Sequence, residues 1–293
     1  MCDQDSLNDM AEYQQKAGSD LTRRRFGALT AGAALMATLP RAANALDVRE
    51  LNINVKTPDG LAEAYLAHPT TGRHPAVLVW VDAFGLRPAF KQMGKRLAES
   101  GYTVLIPNPY YRTAKVPVLP EGLDFSKDAD RAQIMKVMST LTPQTHVIDA
   151  RAFTTFLDTV ASTDRSKKMG TTGYCMGGPM VMRTAAERPD RIGGVGSFHG
   201  GGLVTAAPDS PHLLVPKMKA QFLIAIAEND DKGQPEAKTV LKDTFAKAKL
   251  PAEIEVYAGA MHGWCPPDAA VYNQAQAEKA WSRLLATFKT ALV

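Results

Sequence analysis

From Leu51 onward, short apolar runs alternate with segments of helical length, and this alternation limits the possible folds more than any other feature of the chain. Pro75-Ala-Val-Leu-Val-Trp-Val81 contains no polar side chain. A run that short, apolar at every position, reads as a strand buried on both faces. Tyr102–Ile106 reads as the next buried strand, closed by Pro107 and Pro109. Between them Pro88–Ser100 has helical patterning, with Gly101 as its stop. The same reading gives helices over Asp128–Thr140 and Pro143–Ala161, a short strand over Lys168–Gly173 and a helix over Met176–Glu187. Strands are expected at Gly194–Phe198, Gln221–Ala227 and Glu253–Tyr257, and helices at about Gln234–Lys249 and Asp268–Leu292. Upstream, Leu51–Lys56 and Leu61–Ala67 alternate in period two around Pro58-Asp59-Gly60, the pattern of an opening hairpin. A hairpin followed by strand–helix alternation predicts the α/β class: a mostly parallel sheet with helices on both faces and active-site loops at the C-terminal strand ends. The Pro-rich stretch from Thr113 to Lys127 is the one excursion, expected to form a small cap over the site.

Bulk composition narrows the function. With 293 residues, 45% of them hydrophobic and 22% charged, the chain can bury a large core. Its net charge is +4, but the 34 Lys and Arg are scattered, so no nucleic-acid partner is expected. The three cysteines, Cys2, Cys175 and Cys265, make neither a disulfide framework nor a zinc pattern. Gly193-Gly194-Val195-Gly196 lacks the spacing of a dinucleotide fingerprint. No metal and no cofactor are expected.

The N-terminal segment reads as an address. Thr22-Arg-Arg-Arg-Phe-Gly27 leads into an apolar stretch ending at Leu39, then Pro40, Arg41 and the small-residue run Ala43-Asn44-Ala45. A basic region, a short apolar region and an A-x-A-like end are the parts of a secretory signal, and the arginine pair followed two residues later by Phe resembles a twin-arginine signal. The 13 apolar-region residues are too few to span a bilayer of roughly 30 Å. The expectation is therefore a leader over residues 1–45, cleaved after Ala45, and a single domain over 46–293 that is periplasmic or secreted and has no stable membrane anchor; the sequence leaves the oligomeric state open, with a monomer favoured.

The chemistry centres on Gly173-Tyr174-Cys175-Met176-Gly177-Gly178, which lies directly after a strand and directly before a helix. A G-x-C-x-G at that junction is the pattern of a nucleophile elbow, where glycines leave room for a strained turn. The helix N-terminus aimed at Cys175 stabilises a thiolate, and the Met176 N–H becomes an oxyanion donor. Such folds supply an orienting acid and then a base from later strand ends. Glu228-Asn229-Asp230-Asp231 follows one strand, and Asp230 is the expected acid with Asp231 the alternative. His262, in Gly259-Ala260-Met261-His262-Gly263-Trp264 after the next strand, is the expected base. His199, after another strand, and Trp264 are candidate pocket residues.

Across about residues 50–290 the chain resembles the dienelactone hydrolase family. The resemblance rests on the elbow, on the His262 loop, on Trp80-Val81-Asp82-Ala83-Phe84-Gly85-Leu86 and on Pro107-Asn108-Pro109-Tyr110-Tyr111-Arg112. It implies an α/β-hydrolase fold, a Cys175–His262–Asp230 triad, the Ala83 N–H as second oxyanion donor, and hydrolysis of an enol-lactone or related small ester through a thioester. It also implies that Asp82 occupies the place of a thiol-activating glutamate, and that Arg112 associates with that acid and with a substrate carboxylate. A second carboxylate-binding arginine would fall at Pro266, so the resemblance reaches the reaction type rather than the substrate. Other readings use the same residues: a general carboxylesterase or thioesterase, a non-hydrolytic redox-sensing protein in which Cys175 pairs with Cys265, and a binding module on a hydrolase fold that has lost its activity.

Overall fold

The structure is a computed structural model that describes residues 39–40, 45–125 and 127–293. The expected leader therefore lies almost wholly outside the described residues.

Eight strands form one sheet: β1 (Val48–Thr57), β2 (Gly60–Pro69), β3 (Ala76–Trp80), β4 (Thr103–Pro107), β5 (Met169–Tyr174), β6 (Ile192–Phe198), β7 (Gln221–Ala227) and β8 (Ala252–Tyr257). Their spatial order is β1-β2-β4-β3-β5-β6-β7-β8. β1 and β2 form the expected hairpin, β2 pairs antiparallel with β4, and every other pairing is parallel. The helices are α1 (Pro88–Glu99), α2 (Asp128–Met138), α3 (Pro143–Thr159), α4 (Gly177–Glu187), α5 (Glu228–Gly233), α6 (Ala237–Lys247) and α7 (Gln274–Ala291), with a 3-10 turn at Pro211–Lys217.

The all-apolar run of β3 is explained by what covers it. Val77 and Val79 face a core built with α1 and α7, through Phe90, Leu97, Leu284 and Phe288. Ala76, Leu78 and Trp80 face a second core built with α3, α4 and α6, through Phe153, Val181 and Phe245. Alternate side chains of one strand thus enter opposite layers, and burying each large one contributes about 1.5–3 kcal/mol. Trp80 also satisfies its indole, donating to Thr184 Oγ1 at 3.0 Å.

Strand order reverses at β3. The chain leaves β3 for β4 on one side, then crosses back to place β5 on the other. Loops after neighbouring strands diverge at such a point and open a crevice beyond their carboxyl ends. Asp82 and Ala83 follow β3, and Cys175 follows β5, so the expected nucleophile and its expected oxyanion donor flank that crevice.

Two elements differ from the sequence expectation, for local reasons. The segment after β7 is a short helix, α5, rather than a loop. The last helix begins at Gln274 instead of Asp268, because the Asn273 side chain caps it, accepting from the Gln276 N–H at 3.2 Å. The residues before that cap form turns that carry Asp268 to Arg87. The Pro-rich excursion packs Phe125, with Ile134 of α2, onto Ala83, and the Phe125 ring meets Phe84 edge-on at 5.6 Å. It therefore covers the shoulder of the β3 loop.

Candidate active site

Cys175 has φ +54, a left-handed conformation costing a non-glycine residue about 1–3 kcal/mol. Two features hold it there. Its N–H is shared between the Phe198 carbonyl and His199 Nδ1, each at 3.1 Å, and its carbonyl accepts from the Gly178 N–H at 3.0 Å. The flanking glycines are required by close packing: a Cβ on Gly173 would lie 2.2 Å from the Gly177 carbonyl oxygen, and one on Gly177 would lie 2.6 Å from that of Trp80. Cys175 thus sits at the head of α4, as the elbow pattern expects, and is buried.

The expected base and the expected acid follow the last two strands. Both oxygens of Asp230, on α5, accept from His262 Nδ1 at 2.9 and 2.8 Å. The His262 loop is pinned to α5 at three further points. Its own N–H donates to Asn229 Oδ1 at 2.8 Å, the Gly259 N–H to Glu228 Oε2 at 2.6 Å, and the Glu228 N–H to the Ala260 carbonyl at 2.8 Å. Asp231, the alternative acid, is instead engaged through both oxygens by Lys238 at 2.8 and 2.7 Å. Of the two acids, Asp230 is the one bonded to the imidazole. His262 and Asp230 also line an open groove with Gly200–Gly202, Leu203 and Lys238.

His199 and Trp264 correct the sequence reading. Neither has any exposed surface, so neither lines a pocket wall. The His199 ring lies 5.1 Å from the His262 ring and 5.0 Å from that of Trp264, both edge-on, and Trp264 stacks on Tyr257 at 5.3 Å. Together they form a packed backing behind His262. Burial, with the nearby charge of protonated His262 second, pushes the His199 pKa well below the ordinary imidazole value.

The arginine expectation is also corrected. Arg112 does not meet Asp82. Its guanidinium is forked onto the fully buried Asp149 at 2.9 and 2.7 Å and reaches Asp59 at 2.8 Å through Nε, while lying over the Tyr111 ring. Burial raises the Asp149 pKa, opposed by the hydrogen bond and charge of Arg112. The arginine on Asp82 is Arg87, bonding both carboxylate oxygens at 2.6 and 2.9 Å. Arg87 also bonds Asp268 at 2.6 and 3.0 Å, so one guanidinium serves two carboxylates. Asp82 Oδ1 further accepts the Phe84 N–H at 3.0 Å, which shapes the turn carrying Ala83.

Tyr110 was not singled out from sequence. Its hydroxyl donates to the Ala83 carbonyl at 3.0 Å and touches Met176 Sδ at 3.0 Å, bridging the two residues expected to supply the oxyanion donors. Burial, followed by the charges of Asp82 and Cys175, pushes its pKa well above the ordinary phenol value. Only its place in Pro107-Asn108-Pro109-Tyr110, at the end of a buried strand, hinted at this role. Cys265 is a separate free thiol, buried in a cavity with Tyr174, Phe198, Met93 and Trp281, and burial drives its pKa well up. Among the described residues no group of His, Cys, Asp and Glu could hold a metal ion.

The family model for the dienelactone hydrolase family matches residues 62–292. The chain belongs to this family. It is a hydrolase acting on ester or lactone bonds, with the family's α/β-hydrolase fold. A relative from Synechocystis sp. named "Putative carboxymethylenebutenolidase" is 25% identical over 256 residues, covering 84% of this chain and 99% of the relative. A "Carboxymethylenebutenolidase" from Rhodococcus opacus is 26% identical over 244 residues, covering 81% and 90%. Among solved structures, a "Putative Dienelactone Hydrolase" from Klebsiella pneumoniae superposes with a TM-score of 0.73 at 21% identity, over 83% of this chain and 99% of that one.

Proposed function

We propose that this family member is a cysteine-dependent hydrolase that opens an enol-lactone or related small ester through a thioester at Cys175. The observation that carries the reading is the conformation of Cys175: left-handed at the head of α4, with an Asp230-oriented His262 delivered from two strands further along the sheet. With His262 Nδ1–H committed to Asp230, proton exchange with the thiol falls to Nε2. The Cys175 sulfur attacks the carbonyl carbon, and the oxyanion forms between the N–H groups of Ala83 and Met176. The C–O bond breaks, the enolate departs and takes up a proton, and the acyl group remains on sulfur. Water, deprotonated by His262, then attacks the thioester and restores the thiol. An enolate is a stable leaving group, which is why enol esters suit this centre.

The charges around the site favour an uncharged acyl group. Arg87 is matched by Asp82 and Asp268, Arg112 by Asp149 and Asp59, and Lys238 by Asp231. A substrate carboxylate would have to displace one of these acids. The decisive experiment compares Cys175→Ala with the wild-type protein on p-nitrophenyl acetate and on a panel of lactones, with mass spectrometry of the Cys175 peptide under acid quench. Loss of turnover together with an acyl adduct on that peptide supports the thioester; full activity in the variant refutes it.

We also propose export of the folded chain by the twin-arginine route, with cleavage after Ala45, on the strength of Arg23-Arg24-Arg25-Phe26 and the apolar stretch that follows. N-terminal sequencing of exported protein should begin at Leu46; an intact Met1 on exported material overturns the proposal.

A further inference from the structure

His199 touches both ends of the proposed catalytic pair, yet it has no solvent exposure and no obvious chemical task. Its backbone N–H is tied to the Ala225 carbonyl on β7 at 2.8 Å, and its own φ is +40. A ring nitrogen that accepts a backbone N–H must present a lone pair. The 3.1 Å bond from the Cys175 N–H therefore fixes His199 as the neutral tautomer carrying its proton on Nε2. That Nε2 is buried and has no hydrogen-bond partner, an arrangement costing about 1–3 kcal/mol. An apolar ring would avoid that cost, so the position holds a histidine at the expense of stability. What the imidazole supplies and an apolar ring cannot is a second acceptor for the Cys175 N–H, beside the Phe198 carbonyl. The same ring lies edge-on to His262 at 5.1 Å, so it also limits how the base can turn about its bond to Asp230.

We infer that His199 is a positioning residue: its Nδ1 locks the Cys175 backbone into the strained elbow while its ring sets the plane of His262, so that thiol and imidazole are aligned before substrate arrives. The inference rests on the reading of Cys175 as nucleophile. It requires only that the acceptor at Nδ1, rather than mere filling of space, maintain the geometry.

Two substitutions separate these roles. His199→Asn keeps an acceptor, since the amide oxygen falls where Nδ1 was, but it leaves a void. His199→Phe fills the space and deletes the side-chain acceptor, leaving the Phe198 carbonyl as the one partner of the Cys175 N–H among those described. Alkylation of Cys175 by iodoacetamide would be followed across pH by mass mapping of its peptide, alongside kcat and KM for p-nitrophenyl acetate and thermal unfolding. The expected result is that His199→Phe loses about tenfold or more in both the Cys175 alkylation rate and kcat, with KM little changed, while His199→Asn recovers most of that loss even if its Tm is lower. Equal impairment of the two variants, better function in His199→Phe than in His199→Asn, or wild-type rates in His199→Phe would each overturn the inference. Failure of the underlying reading looks different: the wild-type Cys175 resists alkylation, and Cys175→Ala keeps turnover.

Discussion

Two histidines held neutral inside the fold give the protein a defined sensitivity to acid. His146, in the first turn of α3, has both ring nitrogens sealed from water without a hydrogen-bond partner. Burial, then the charges of Arg183 and Arg112, lower its pKa to about 3. His199 is shifted in the same direction. A folded pKa below the unfolded value means that, between the two, the unfolded chain binds a proton that the native state refuses. Stability is thus full above about pH 6.5 and is lost as pH falls below it. At pH 5 an unfolded histidine lies about 1.5 units below its pKa, which favours unfolding by about 2 kcal/mol; the folded pKa drops out because it lies lower still. For His146 this amounts to about 2 kcal/mol between pH 7.5 and pH 5, against a typical total stability of roughly 5–15 kcal/mol, and His199 acts in the same direction. Unfolded carboxylates titrate near pH 4 and contribute little over this interval. The test is His146→Phe. Its packing cost is the same at both pH values and cancels, as do the contributions of unaltered groups. Urea unfolding of wild type and variant at pH 7.5 and pH 5 should show an acid-induced loss about 2 kcal/mol smaller in the variant. The same loss in both proteins would show that His146 is protonated in the native state and refute the reasoning.

Other outcomes follow from the site. Asp230→Asn should lower kcat/KM by about 10³- to 10⁴-fold with little change in Tm, because the amide imposes the wrong His262 tautomer; a loss under tenfold would transfer the orienting role elsewhere. Tyr110→Phe leaves the buried Ala83 carbonyl short of one donor, costing about 1–2 kcal/mol in denaturant unfolding. It should lower kcat more than KM if Ala83 serves the oxyanion, and an unchanged kcat would count against that role. Arg87→Met strips the buried Asp82 of its guanidinium and should destabilise by about 3 kcal/mol, read in the same unfolding assay. Between matched esters with and without a carboxylate on the acyl group, the uncharged one should have the higher kcat/KM, and a reversed preference would mean that Arg112 or Arg87 leaves its acid partners.

The parts of this protein visible in its sequence are those set by local pattern. β3 and the Phe222–Ala227 part of β7 announce themselves because they are almost wholly buried on both faces and carry no polar residue. The elbow is visible because its glycines fall two residues either side of Cys175, although the contacts that require them reach from Gly177 itself to Trp80 on a neighbouring strand. Helix ends are less legible: nothing in Pro266-Pro267-Asp268 says that these residues are needed to bring Asp268 to Arg87. The arginine partners were misread for the same reason. Asp149 looks like one more polar residue on a helix, and only the packing of α3 beneath the β4 loop gives it Arg112. Once Arg112 is taken, the nearer Arg87, in the same turn as Asp82, completes that acid.

The position of His199 is also a consequence of topology. From β5 to β8, chain order and spatial order coincide, each strand parallel to the last. Adjacent strands lie about 4.8 Å apart, so residues at their C-terminal ends form a row. Cys175 follows β5, Asp230 follows β7 and His262 follows β8, so whatever follows β6 must stand between the proposed nucleophile and its proposed partners. That residue cannot be a bystander: it either blocks the thiol from the imidazole or sets the distance between them. A side chain reaching forward would do the first. His199, turned back into the core by its left-handed backbone and anchored to β7, does the second. On the proposed mechanism the site is thus built from four strands, and the one contributing no reactive atom governs how the other three meet.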